Sequence, residues 1–174
     1  MVFNNRCPQR TMALPVHAVH LSVNASGLAN IGTIATALEW LLGITDCVEV
    51  ERTSSFHGSP MFLLTASANR KGAARRAVPR LGTYALDALA TSLDGRIDQS
   101  NCLHLRLALD GLVEGRATII DAASPDEVVK VRIKLEVYPG DDAEEVAMEL
   151  VSQARDTAVR KGLPESAEGW LSGS

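Results

Sequence analysis

The feature that most constrains the fold of this chain is the segment VVKVRIKLEVY, residues 128–138, where apolar and polar side chains alternate without a break. Val129, Val131, Ile133, Leu135 and Val137 fall on one side of an extended chain, and Lys130, Arg132, Lys134, Glu136 and Tyr138 on the other. A period of two matches the pleat of a β-strand, so one face of this strand is expected in the core and the other in water. Weaker versions of the pattern recur in VHAVHLSV (16–23), in 46–53, in MFLLTASA (61–68), in LHLRL (103–107) and in GRATIID (115–121). Gly58 and Pro60 in SSFHGSP make the link between the second and third of these a tight turn, which predicts a hairpin.

Between the strands the period changes. Ile31, Ile34, Leu38, Leu41 and Leu42 recur at three to four, predicting an amphipathic helix closed by Gly43. A second helical stretch begins near residue 70, is interrupted at Pro79, and resumes through Leu81, Ala85, Leu86, Leu89 and Leu93, with a hinge near Pro79 and Gly82. A last helix follows Asp141, Asp142, Glu144 and Glu145, acids that suit a helix N-terminus. Val146, Leu150, Ala154 and Val159 form its apolar stripe.

The order strand, helix, two strands, broken helix, three strands, helix has too few helices to cover both sides of a sheet. It predicts an α+β fold: one open, mainly antiparallel sheet of about six strands with helices on one face and the other face wet. With 174 residues, 46% of them hydrophobic, one core is expected. The expected organisation is an extension over 1–14, with Met12 a candidate natural start, a single domain over 15–162, and a loose tail over 163–174 in which Trp170 is the candidate anchor. No run reaches the roughly 20 apolar residues of a membrane span, and the first residues lack the apolar stretch of a signal peptide. The expected location is cytoplasmic. Cys7, Cys47 and Cys102 are expected as reduced thiols.

Charge is strongly segregated. The stretch NRKGAARRAVPR (69–80) holds Arg70, Lys71, Arg75, Arg76 and Arg80 without a carboxylate, although the whole chain has a net charge of −4. An acidic chain is not an indiscriminate nucleic-acid binder of the histone kind, which neutralises phosphates with an overall cationic surface. A local patch remains open to it. The pleat supplies a second one: Lys130, Arg132 and Lys134 share a strand face about 6.5–7 Å apart, and LHLRL turns His104 and Arg106 the same way as His20 and Ser22 in the first strand.

Catalytic and cofactor signatures are missing. There is no HExxH, no phosphate loop, no GxGxxG and no GxSxG, and His17, His20, His57 and His104 are dispersed. No metal or cofactor is expected. In FHGSP, Gly58 permits a left-handed backbone whose amides, beside His57 and Ser59, offer an anion cradle or simply a chain reversal. Few aromatics are present, so recognition by charge and shape is expected over stacking of splayed bases.

Four motifs in sequence, HAVHLSV, FHGSPMFLLTA, LHLRLALDGLVEG and DEVVKVRIKLEVYP, resemble a family of small archaeal RNA-binding or exosome-associated proteins whose fold is like that of the ribosomal protein contacting 5S RNA. The resemblance spans about residues 16–140. It implies weight on His57, Gly58 and Pro60 in the turn, on Arg106, and on Arg132 and Lys134. The sequence departs from that pattern at Phe56, where the family has His, and after Arg106, where a cation of the family is replaced by the run Ala108, Leu109, Asp110.

The combined expectation is a non-catalytic protein that binds structured RNA or a ribonucleoprotein. Arg106, Lys130, Arg132 and Lys134 would contact phosphates from the sheet, and Arg70, Lys71, Arg75, Arg76 and Arg80 from an adjacent helix. The alternatives are a protein-interaction subunit whose basic patch meets an acidic partner or a second copy of the chain, and a small RNA-processing enzyme acting through His57 or His104.

Overall fold

The protein is described by a computed structural model over residues 13–120 and 127–163. Five strands, β1 (Val16–Ser26), β2 (Val48–Ser54), β3 (Pro60–Ala68), β4 (Cys102–Ala108) and β5 (Val128–Leu135), form one sheet in the order β2-β3-β1-β5-β4. Every neighbouring pair is antiparallel. Five α-helices accompany them among the described residues: α1 (Ile31–Leu42), α2 (Lys71–Ala77), α3 (Gly82–Ala90), α4 (Leu109–Val113) and α5 (Ala143–Lys161).

The alternation in sequence becomes a two-sided sheet. Val19, Leu21, Val23 and Ala25 of β1, Leu64, Ala66 and Ala68 of β3, Leu103, Leu105 and Leu107 of β4, and Val129, Val131, Ile133 and Leu135 of β5 are all buried beneath the helices. Their neighbours along each strand face outward. Helix α1 starts at Asn30, whose side chain accepts from the Thr33 amide at 3.1 Å, and ends at Gly43 in the left-handed region, φ 70°. Helix α5 starts at Asp142, which accepts from the Glu145 amide, carries Glu144 and Glu145 in its first turn and Arg160 and Lys161 in its last, and so complements its macrodipole at both ends. As expected, Pro79 breaks the middle helix: a 3₁₀ segment over 78–81 separates α2 from α3, and Gly82 takes a positive φ of 86° at the break.

Four local expectations are corrected. Residues 115–120 do not form a sixth strand, and Asp121, the last residue of that expected strand, lies outside the described residues; Leu107 and Ile119 make an isolated bridge beside β4. Leu109 and Leu112, three apart and both buried, draw the chain into α4 directly after β4; the Ala108 amide donates to the Thr118 carbonyl and the Ile120 amide to the Arg106 carbonyl. β5 stops at Leu135 instead of running to Tyr138, because its partner β1 begins at Val16 after Pro15, with a register irregularity between Val16 and Ala18. Val159, expected on the buried stripe of α5, is 59% exposed, and Ala158 takes the inward position. Finally, Leu14 and Leu163, expected in the extension and the tail, pack against the core. Met12, Trp170 and Cys7 lie outside the described residues; Cys47 and Cys102 are free thiols beside or at strand starts. Among the described residues no helix is long and apolar enough to cross a membrane.

Candidate nucleic-acid interface

The open face of the sheet is built by register. His20 of β1 lies opposite Ser67 of β3 on one side and Arg132 of β5 on the other, and Arg132 in turn lies opposite His104 of β4. One step along, Ser22 lies opposite Thr65 and Lys130, and Lys130 opposite Arg106. Ala18, Lys134 and Cys102 make a third row. Side chains directly opposite on neighbouring strands stand about 4.5–5.5 Å apart at Cβ. Lys130, Arg132 and Arg106 therefore form one contiguous cationic patch across two strands, with His20 and His104 beside it.

Hydrogen bonding sorts these groups into free and engaged. Lys130, Arg132 and Arg106 have no hydrogen bond or ion pair to any described residue, and Lys130 and Arg132 are exposed. Lys134 donates to the Ser100 carbonyl, so its ammonium is held at the end of the row. His104 Nε2 sits 2.6 Å from Asp98 Oδ2. The His104 hydrogen bond, with the Cys102 and Ser100 amides also donating, pulls the Asp98 carboxyl down to about 2. His20 Nδ1 lies 2.8 Å from Ser67 Oγ, and burial, aided by the Arg132 charge, lowers its pKa below the usual imidazole value. At neutral pH His20 is thus a neutral hydrogen-bonding group within a cationic field.

The basic island is not a second patch of the same kind. Arg80 is 8% exposed, and its Nε and Nη2 donate to the Trp40 carbonyl at 2.9 and 2.7 Å, tying the 3₁₀ segment to the end of α1. Gly43 makes room for it: a Cβ there would lie 3.1 Å from the Arg80 side chain. Lys71 Nζ is 2.5 Å from Glu136 Oε2, Arg75 Nη2 is 3.9 Å from the same oxygen, and Arg75 Nε donates to the Leu14 carbonyl. Burial pushes the Glu136 carboxyl up, but Lys71, a hydrogen bond from Tyr138 and the nearby His17 outweigh it, and the net shift is downward. Arg70 precedes α2 and Arg76 lies on its outer side, both exposed. Of five cations in the island, three are thus engaged by the fold.

The hairpin turn forms where expected, with Gly58 at φ 85°. Three of its amides are engaged within the turn: Ser55 N donates to the Ser59 carbonyl, Gly58 N to the Ser55 carbonyl and Ser59 N to Ser55 Oγ. Phe56, 99% exposed, meets the His57 ring edge-on at a centroid distance of 5.4 Å. Pro60 begins β3, and its carbonyl accepts from the Gly27 amide, so the turn is braced against the end of β1. Among the described residues no three His, Cys, Asp or Glu side chains converge as a metal site would require. Asp98 and Glu136 are the acidic neighbours of these basic groups whose pairing the sequence does not reveal. Glu136 was legible as an acid on a basic strand; Asp98, six residues before His104 in a loop, carried no periodic signal.

No protein-family model matches the chain, and comparison with curated proteins finds no match. Among solved structures it is similar to a DUF54 protein from Methanothermobacter thermautotrophicus, with 24% identity and a TM-score of 0.65 over 80% of this chain and 97% of that one. A DUF54 protein from Archaeglobus fulgidus is similar at 18% identity and TM-score 0.63, covering 80% of this chain and 99% of that one. One from Sulfolobus solfataricus follows at 20% identity and TM-score 0.58, covering 78% and 97%. At these identities the likeness is one of fold: this open α+β architecture is shared with archaeal proteins of the DUF54 group along nearly their whole length.

Proposed function

We propose that this protein binds structured RNA through the open face of its sheet, in the cytoplasm, as a non-catalytic accessory to RNA processing or ribonucleoprotein assembly. The observation that carries the reading is the patch of Lys130, Arg132 and Arg106, contiguous by register and without an acidic partner among the described residues. Three cations held at strand spacing suit a phosphate backbone, whose negative charges recur at a similar repeat. His20, Ser22 and Thr65 on the adjoining strands add neutral hydrogen-bonding groups for sugar and phosphate oxygens. The resemblance of the four sequence motifs to archaeal RNA-binding proteins points the same way.

The interface makes a quantitative demand. Three phosphate contacts give a log–log salt slope of about −2, and hence an affinity loss of roughly 20-fold between 50 and 200 mM salt. Fluorescence anisotropy with a labelled structured RNA measures it. Lys130→Glu with Arg132→Glu should abolish binding, while Arg70→Glu, outside the patch, should leave most of it. Salt-independent binding, or wild-type affinity in the double variant, would contradict the proposal. RNA cleavage abolished by His57→Ala or His104→Ala would replace it with an enzyme.

A further inference from the structure

A groove of about 530 Å³ lies in the helix layer, between α2 with its 3₁₀ extension, the C-terminal end of α1 and the last turns of α5. That volume falls within the range of small-molecule sites, about 300–1,000 Å³. Its wall holds five cations, Arg75, Arg76, Arg80, Arg160 and Lys161, against one carboxylate, Asp156. Leu42 and Gly43 place the end of α1 there, and Leu163 places the end of α5.

Helix ends alone do not account for this charge. Two C-terminal macrodipoles contribute roughly −0.5 each, and Asp156 adds one negative charge, so a net charge of about +3 remains on the groove. Arg80 and Arg75 are positioned by the carbonyls of Trp40 and Leu14, which fixes their guanidinium groups at the wall. Arg76, Arg160 and Lys161 have no hydrogen bond or ion pair to any described residue. The guanidinium groups of Arg76 and Arg160 each present the planar fork of donors that phosphate oxygens match.

The groove is not uniformly polar. Leu14, Leu42, Pro79 and Leu163 line it as well. Gln153, also on the wall, donates from Nε2 to Glu149 Oε1 at 3.0 Å; this orients its amide and leaves Oε1 buried with no partner.

We propose that the groove is a binding site for a small organic phosphate, with the phosphates on Arg76, Arg160 and Lys161 and the organic body against Leu14, Leu42 and Leu163. The site is independent of the sheet face, since the helices that form it pack on the other side of the sheet.

The test uses the full chain with ADP, inorganic pyrophosphate and adenosine as probes, read by titration calorimetry and thermal melting. ADP is expected to bind and to raise the melting temperature, with pyrophosphate and adenosine each weaker. Arg76→Glu with Arg160→Glu, both at exposed positions, is expected to weaken ADP by about tenfold or more, as for lost charge-assisted hydrogen bonds. Arg76→Gln with Arg160→Gln checks the same point without charge reversal. Lys130→Glu with Arg132→Glu is expected to leave ADP binding intact, which separates this site from the RNA face. Three results overturn the proposal: no heat with ADP up to about 1 mM, pyrophosphate binding as tightly as ADP, or loss of ADP in the sheet variant with retention in both groove variants.

Discussion

The sheet row and the basic island contain the same kinds of residue and have opposite fates. Lys130, Arg132 and Arg106 stand outward with no internal partner among the described residues, whereas Arg80 is buried on the Trp40 carbonyl and Lys71 and Arg75 are gathered by Glu136. The difference is geometric. A strand with one buried face forces its alternate residues into water, so charge there is committed to solvent or to a ligand. A short helix broken by proline, packed on β1 and joined to α1, offers directions that also point inward, and long cationic side chains use them to satisfy carbonyl groups. Local charge density in a sequence therefore counts for less than the period on which the charges fall.

The largest effect that can break this comparison is expected at Arg80. Arg80→Met keeps the aliphatic stem but removes two charge-assisted hydrogen bonds to the Trp40 carbonyl, at a cost of about 2–3 kcal/mol. The exposed neighbour Arg76→Met is expected to stay within about 0.5 kcal/mol of wild type. Urea denaturation of both variants decides it: equal midpoints would mean that Arg80 is as much a surface cation as Arg76. Gly43→Ala should echo the Arg80 effect, because it pairs a strained φ with a contact on the same side chain.

How much of this was legible follows from the same contrast. The sheet, its wet face and the positions of Lys130, Arg132, Arg106 and His104 could be read from alternation, since pairing in register preserves the period. The break at Pro79 and the Gly58 hairpin were legible for steric reasons. The inward turn of Arg80 was not, because it depends on where Trp40, forty residues earlier, leaves a carbonyl at the end of α1. Nor was the failure of 115–120 to become a strand: its pattern is acceptable, but Leu109 and Leu112 favour helix at the point where β4 would have turned back. The groove likewise needed three elements distant in sequence to be brought together.

A smaller effect at Glu136 sharpens the comparison. Its side chain is 11% exposed and pairs with Lys71 and Arg75, which are themselves 46% and 33% exposed. With solvent screening on the cationic side, Glu136→Gln is expected to cost about 1 kcal/mol. The substitution also releases Lys71 and Arg75. If island and sheet row are separate surfaces, RNA affinity should change less than about twofold; a unit charge added to a continuous phosphate face would raise it further and steepen the salt slope by about 0.7. Anisotropy at two salt concentrations distinguishes these outcomes.

The smallest effects concern pH, and they fall in two separate windows. Asp98 titrates near 3.8 when unfolded and at about 2 in the fold, held down by His104 and the Cys102 and Ser100 amides. Between these values the unfolded chain binds more protons, so stability falls as pH drops through that window; the contribution is fully present above about 4. His20 is shifted downward from 6.5 by burial and by Arg132, so its imidazole prefers to be neutral in the fold. Below pH 6.5 the unfolded chain again takes up the proton first, and stability again falls with pH, but in the higher window. Denaturation midpoints followed from pH 8 to 2 should show both, with Asp98→Asn flattening the lower step and His20→Gln the upper. Because the Asp98 carboxylate offsets cationic charge at the edge of the patch, Asp98→Asn should also strengthen RNA binding slightly. Equal RNA affinity in wild type and Asp98→Asn would place the Asp98–His104 pair outside the phosphate-binding face and leave Lys130, Arg132 and Arg106 as its whole electrostatic content.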